Sequence, residues 1–262
     1  MYNSQSVSTY KIQVLDRVFQ IVNLLAEERN GASLTEVAAK LKLTKSTAHR
    51  LMMVLEAERY VDRDPNSGRY GLGSRIMELG LRAAGRLDVY SAARPRLQSL
   101  MEETGETAHL AVLRDGDVVT LMAVESRQTL RAPRAPGART PAHCTSLGKS
   151  ILAHVPAEEL KQYLAQCSFP TFTPKTIHCE ERLLADLRLV RRRGYAIDDE
   201  EWELGLRCLA ATVYDRTGLP VAAIGISGPV FRISRERIST LARAVSTTAR
   251  SISESLGYHL QA

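Results

Sequence analysis

Long apolar runs are missing from this chain of 262 residues, so no segment reaches the length that a membrane-spanning helix needs. The first residues also lack the basic and then apolar pattern of a secretory signal peptide. Cysteine is scarce, and the four cysteines show neither a CxxC pair nor zinc-finger spacing, which argues against a disulfide framework or structural zinc. These absences predict a protein of the reducing cytoplasm with no membrane, metal or cofactor partner.

Aromatic residues are also few, at 5% of the chain, but 44% of the residues are hydrophobic and 24% are charged. That balance is ordinary for a soluble protein, and the length allows one or two domains with a real core. The formal net charge is +6. An excess of positive charge favours an anionic partner such as nucleic acid without requiring one.

Two short helices joined by a tight turn are predicted between Ser33 and Met53. Ser33 and Glu36 have the spacing of a capping box, in which each side chain accepts the backbone N–H of the other. Thr44 is a competent N-cap for the second helix. In a helix-turn-helix, the early residues of the second helix meet base edges and phosphates. We therefore expect DNA contacts from Lys45, Ser46, Thr47, His49 and Arg50.

Paired amphipathic helices also occur in many proteins that bind no DNA. Residues 59–73 favour the DNA-binding interpretation, because two short apolar strands flank the turn-rich segment from Asp64 to Gly68. Such a hairpin directly after a helix-turn-helix is typical of a winged domain. We expect Arg63 and Arg69 of this wing to contact phosphates or the minor groove, the alternative being a plain surface hairpin.

Three domains or segments follow from these patterns: a DNA-binding domain over residues 11–73, a linker helix over 74–88 and a second domain over 89–262. The helix that begins near Lys11 has an apolar face wider than a surface helix needs. The surplus apolar surface of this helix either contacts a second copy of the chain or is buried between layers of one domain. The linker helix either spaces the domains and pairs subunits, or docks on its own chain.

The second domain is predicted to be α+β. One hairpin turns at Asp115-Gly116, between apolar strands that start at Thr107, and another runs from Leu206 to Gly228. Helices are expected after Thr145, from Pro156, over 180–193 and after Ser234. Antiparallel hairpins with helices segregated around them indicate a sensor-like domain.

Several runs in both halves resemble the IclR family of bacterial transcription regulators. They are LTKSTAHRLMMVLEAERYV, PAHCTSLGKSILA, RRRGYAIDDEEWELGLRCLAATVYD and AAIGISGP. The resemblance implies a winged helix-turn-helix, a linker helix and a GAF-like effector domain with an antiparallel sheet flanked by helices. It also implies a homodimer or a dimer of dimers that binds double-stranded operator DNA under the control of a small metabolite.

The resemblance places an effector pocket at Ser146, Leu147, Asp198, Cys208 and Ser227. The helix after Thr145 can hold a carboxylate at its N-terminus, and Gly148 is expected to let a ligand approach the backbone. The arginines of the 127–139 loop hint at an acidic ligand. Gly225 offers no hydroxyl, so a contact from that position is in doubt.

Each pocket residue also has a purely structural interpretation: Thr145 as a cap, Cys208 as a buried strand residue and Asp198 as a turn acid. A thiol enzyme would need Cys208 or Cys144 as nucleophile and His143 as base, without any local nucleophile signature. A metal site built from these cysteines, His143 and Asp198 lacks regular spacing. A DNA-binding architectural protein is the third alternative. We predict a non-enzymatic, sequence-specific transcription regulator controlled by an organic or aromatic acid, leaving open whether it represses or activates.

Overall fold

The computed structural model describes residues 12–28, 30–85 and 88–258, and the chain divides into two compact units between residues 86 and 87. The N-terminal unit contains four helices and a two-stranded antiparallel hairpin within the described residues. Their bounds are α1 Gln13–Glu27, α2 Leu34–Lys40, α3 Lys45–Ala57, β1 Val61–Arg63, β2 Tyr70–Leu72 and α4 Ser74–Gly85. Residues 86 and 87 of the expected linker helix lie outside the described residues.

Both predicted helix caps of the helix-turn-helix are confirmed. Ser33 Oγ accepts the Glu36 N–H at 3.3 Å, while Glu36 Oε2 accepts the Ser33 N–H at 2.7 Å. Thr44 Oγ1 accepts the Thr47 N–H at 3.2 Å. Each cap satisfies a backbone donor that has no partner inside its helix, so these three short-range contacts fix where α2 and α3 begin.

Helix α1 has one buried side and one exposed apolar side. Ile21 and Leu25 are buried in the core that also holds Val37 and Met52, whereas Phe19 is 61% exposed. The surplus apolar face is therefore exposed on the N-terminal unit. That exposure favours pairing with a second copy, which stays a prediction.

The C-terminal unit is built around one six-stranded antiparallel sheet with the strand order β5-β4-β3-β8-β7-β6. Its strands are β3 Thr107–Arg114, β4 Asp117–Val124, β5 Arg139–Pro141, β6 Ala196–Asp199, β7 Leu206–Tyr214 and β8 Pro220–Pro229. Its helices are α5 Asp88–Thr104, α6 Ser146–Leu152, α7 Ala157–Gln166, α8 Glu180–Arg193 and α9 Ile238–Ser255, the last preceded by a 3₁₀ turn at Arg235–Arg237.

Alternate residues of the strands feed two separate cores. On one face, Leu110 and Ile224 pack with α5 and α9; on the other, Ala111 and Ala223 pack with α6 and α8. The small alanines on the second face let α6 lie close to the sheet, and all seven α6 residues are buried. This arrangement confirms an α+β fold with an antiparallel sheet flanked by helices.

Some local expectations need correction. Pro156 is the N-cap of α7 and not its first helical residue. The predicted helices and hairpins omitted the edge strands β5 and β6, whose three and four residues are too short to show a period. Asp198 therefore lies on a strand and is not a turn acid. Among the helices of the described residues, none has both the length and the apolarity needed to cross a bilayer.

Candidate functional site

The start of α3 forms an exposed polar surface. Ala48, Met52 and Leu55 are buried against the rest of the unit, so packing determines which side of α3 points outwards. Four of the five predicted DNA-contacting residues are exposed on that outward side, namely Lys45, Ser46, His49 and Arg50. The fifth, Thr47, is half-buried. The surface has the polarity and position that a recognition helix needs.

The two wing arginines occupy different environments. Arg63 is exposed and lies over the Tyr70 ring at 5.6 Å. Arg69 donates through Nη2 to Glu36 Oε2 at 2.8 Å and to the Gly31 carbonyl at 2.9 Å. Because the Glu36 carboxylate also caps α2, Arg69 ties the wing to the first helix of the helix-turn-helix. Arg63 is thus available for a phosphate, whereas a DNA contact from Arg69 stays a prediction that this bracing makes less direct.

A small cavity lies between α6 and the sheet, and all five predicted effector residues line it. The strand register explains why, because Asp198 pairs with Cys208 and Cys208 pairs with Ser227 across three neighbouring strands. Ser146 and Leu147 close the cavity from the first turn of α6. The space is narrow, with room for about one water molecule. The structure brings the five residues together, and their role toward an effector stays a prediction.

Two further polar residues line this cavity and were not singled out from the sequence: His109 and Arg134. His109 is buried on β3, where its Nε2 is 2.5 Å from Ser227 Oγ. Burial, with a smaller contribution from the Arg134 charge, lowers the pKa of His109 to about 3, so the imidazole is neutral. The alternation of β3 was the available signal, because it places His109 on the same face as Ala111.

Arg134 belongs to the arginine-rich loop whose residues hinted at an acidic ligand. It is half-buried and donates through Nη1 to Thr140 Oγ1 at 3.1 Å. Its charge acts to lower the pKa values of Asp198 and Cys208. No pattern in the loop indicates which of its arginines reaches the cavity.

Asp198 is a buried acid whose carboxylate is held by the backbone. Its Oδ1 accepts the N–H of Glu201 at 2.8 Å and that of Trp202 at 3.4 Å. Burial raises the pKa of Asp198 to about 6, although the Lys149 charge and the two backbone hydrogen bonds oppose that rise. Near neutral pH the carboxyl can therefore change its protonation with a modest change in surroundings.

Gly148 was expected to let a ligand approach the backbone, but the structure shows a different role for it. A Cβ at this position would lie 2.3 Å from the Ala142 Cα and 2.3 Å from its carbonyl oxygen. The glycine is thus required by the close approach of α6 to its own chain, and it is absent from the cavity lining. Gly225 does line the cavity, and a Cβ there would lie 2.4 Å from the Leu209 carbonyl oxygen, so the backbone leaves no space for a hydroxyl-bearing side chain.

A buried ionic cluster involves Lys149 of α6, the helix whose first turn lines the cavity. Lys149, which is 1% exposed, lies 2.5 Å from Glu201 Oε1 and 3.0 Å from Asp186 Oδ2. Burial raises the pKa of Glu201 to about 7 against the opposing Lys149 charge. Burial acts to lower the pKa of Lys149, but the charges of Glu201 and Asp186 outweigh it and raise that pKa. The cluster links α6 and α8 to the segment that follows Asp198.

The thiol-enzyme and metal alternatives find no support in this geometry. Burial raises the pKa values of Cys144 and Cys208 and so keeps both thiols protonated. His143 approaches the Pro170 carbonyl oxygen through Nε2 at 3.0 Å, so that nitrogen carries a proton and is not a free base. Within the ranges that the structure describes, no three His, Cys, Asp or Glu side chains are grouped as metal ligands.

Comparison with known proteins yields a consistent set of similarities. Residues 14–65 match the IclR helix-turn-helix domain, and residues 81–254 match the bacterial transcriptional regulator IclR C-terminal domain. The HTH-type transcriptional regulator BhcR of Paracoccus denitrificans is 37% identical over 242 residues, which span 92% of this chain and 86% of that protein. The Thermotoga maritima IclR crystal structure superposes with a TM-score of 0.82 at 33% identity, covering 95% of this chain and 100% of that one. An IclR homolog from Microbacterium hydrocarbonoxydans, complexed with 4-hydroxybenzoate, has the same fold at a TM-score of 0.83 and 23% identity, with coverages of 93% and 98%.

Proposed function

Because this chain belongs to the IclR family of DNA-binding transcription regulators, we propose that it reads operator DNA with the start of α3 and responds to a small organic acid bound against α6. It is a regulator and not an enzyme. The observation that carries the proposal is the cavity: side chains from α6, β6, β7 and β8 converge on one space inside the unit that does not hold the helix-turn-helix.

DNA binding through α3 is supported by the outward position of its early residues. We further propose Arg63 as a wing contact, since its side chain is exposed beside Tyr70. The protein would act in the cytoplasm, where bacterial DNA lies, as a homodimer or a dimer of dimers. Sedimentation of the purified chain with and without operator duplex tests the assembly, and a monomer on DNA would contradict it.

An operator duplex, selected from a randomised library with the wild-type protein, allows the recognition surface to be tested. Arg50→Ala should weaken operator binding by about 1–3 kcal/mol if Arg50 reads a base, and reduce the salt dependence if it contacts phosphate. Lys161→Ala on α7 removes the same charge from an exposed position and is the matched control. Wild-type affinity and salt dependence in Arg50→Ala would contradict the proposed recognition surface.

Effector control distinguishes this proposal from an architectural DNA-binding protein. A ligand that binds the folded chain raises its melting temperature by mass action. Thermal-shift screening against aliphatic and aromatic acids, with 4-hydroxybenzoate as one probe, should yield at least one compound that also changes operator affinity. Binding without any change in operator affinity would leave the architectural alternative in place.

A further inference from the structure

The His109 imidazole has an unfinished set of hydrogen bonds. The residue is 2% exposed and lines the cavity, and Nε2 contacts Ser227 Oγ. The other ring nitrogen, Nδ1, is buried and has no hydrogen-bond partner among the described residues. A buried polar atom without a partner costs free energy, so such an atom beside a cavity calls for a group that enters it.

Neutral imidazole carries one proton, and the Ser227 hydroxyl can either accept a hydrogen bond from Nε2 or donate one to it. When the Ser227 hydroxyl donates to Nε2, the proton is on Nδ1, which is then a hydrogen-bond donor without a partner on a residue that lines the cavity. Arg134 lines the same cavity and its guanidinium keeps N–H groups beyond the one that Thr140 accepts. An N–H donor and a cation beside one space match a negatively charged oxygen acceptor.

We propose that His109 and Arg134 select the effector by binding its carboxylate between imidazole Nδ1–H and the guanidinium. The inference rests on the proposed function, because it assigns two further ligand contacts to the same cavity. In the strand order, Ser227 on β8 lies between His109 on β3 and Asp198 on β6. Asp198 can therefore contact a hydroxyl or carbonyl group at the other end of the ligand. The cavity has room for about one water molecule before its walls move, and this restricts the ligand to a small carboxylate.

Two substitutions of His109 separate its two nitrogens. A Gln side chain reaches the position of Nε2 and keeps the Ser227 contact, but it leaves nothing at Nδ1. An Asn side chain places an N–H near the position of Nδ1 and loses the Ser227 contact. We expect His109→Gln to weaken carboxylate binding by about tenfold or more, and His109→Asn to weaken it less.

Arg131, in the same loop, is the matched control residue for Arg134. Arg131 is exposed, is paired with Glu125 at 2.8 Å and is absent from the cavity lining. Arg134→Gln should weaken carboxylate binding by about tenfold or more, Arg134→Lys should retain part of it, and Arg131→Gln should leave it unchanged.

Isothermal titration of the full chain with acetate, lactate, benzoate and 4-hydroxybenzoate, each beside its uncharged amide, measures the effect. Circular dichroism and the melting temperature show whether each variant folds. If a His109 variant does not fold, Arg134→Gln alone tests the proposal. Equal binding of acids and amides, or wild-type affinity in both His109→Gln and Arg134→Gln, overturns the assignment. So does the failure of every acid to bind the wild type, and operator binding by that preparation then shows whether the proposed regulator function survives.

Discussion

A buried carboxyl group is the residue-scale feature with the most direct consequence for stability. Asp198 has a folded-state pKa of about 6 against an ordinary value of 3.8. The folded chain therefore binds this proton more tightly than the unfolded chain does. The sign follows from proton linkage: the associated stability is fully present below about pH 3.8 and is lost as the pH rises through 6.

Asp198→Asn should consequently stabilise the protein at alkaline pH. The amide oxygen still accepts the Glu201 and Trp202 N–H groups, but no charge has to be buried. At pH 8 we expect the free energy of unfolding to rise by on the order of 2–3 kcal/mol, with no gain near pH 3.8. Urea unfolding across this range is the measurement. A gain that is equally large at acid pH would show that the ionised carboxylate is not the cause.

The second residue-scale prediction concerns Lys149. Lys149→Met leaves the Glu201 and Asp186 carboxylates without their buried cation, and a broken buried ion pair costs about 3–5 kcal/mol. The exposed pair of Lys175 and Glu200 is the control, because Lys175→Met should cost less than about 1 kcal/mol. Urea denaturation compares the two variants. Similar losses would mean that the buried cluster contributes no more than a surface pair.

At the scale of elements, the features that could be predicted from the sequence are those formed by residues close together along the chain. The caps at Ser33 and Thr44 and the turn at Asp115-Gly116 involve residues within four positions of each other. All three are confirmed. The same holds for α8, whose acidic start, basic end and Gly194 terminator gave its bounds.

The remaining features depend on strand register and on contacts between distant segments. Asp198, Cys208 and Ser227 form one row only because three strands pair with that register, and the family resemblance, not residue spacing, supplied this set. Arg69 reaches Glu36 across 33 positions, so its bracing role left no local signal. The alternation of β3 could have placed His109 on the cavity face, but its contact with Ser227, 118 positions away, left no local signal.

Gly148 provides the element-scale prediction. Gly148→Ala forces α6 away from the Ala142 backbone, and crowding of this kind in a packed core costs about 1–3 kcal/mol. Gly80 in α4 is the matched control, because a Cβ there meets no described atom within 4 Å, and Gly80→Ala should stabilise the helix by about 0.5–1 kcal/mol. Thermal unfolding of both variants checks the opposite signs. A neutral Gly148→Ala would mean that α6 shifts without cost.

For the whole molecule, the two units have to communicate if the cavity regulates the helix-turn-helix. A ligand changes operator affinity only when it binds one arrangement of the DNA-binding units more tightly than another; equal affinity shifts nothing. The narrowness of the cavity is relevant here, since a carboxylate larger than a water molecule has to displace the side chains around it. We expect movement of the cavity-lining residues on α6 or in the Arg134 loop to be the first step of a signal.

Linkage makes this coupling measurable from either site. If a bound acid changes operator affinity by some factor, saturating operator must change the affinity for that acid by the same factor. We expect agreement between the two factors, measured by titrating DNA with and without acid and titrating acid with and without DNA. Arg50→Ala is the control, because DNA added at a concentration that no longer saturates this variant should leave its acid affinity unchanged. Unequal factors for the wild-type protein would indicate that the acid site followed in the titration is not the one linked to operator binding.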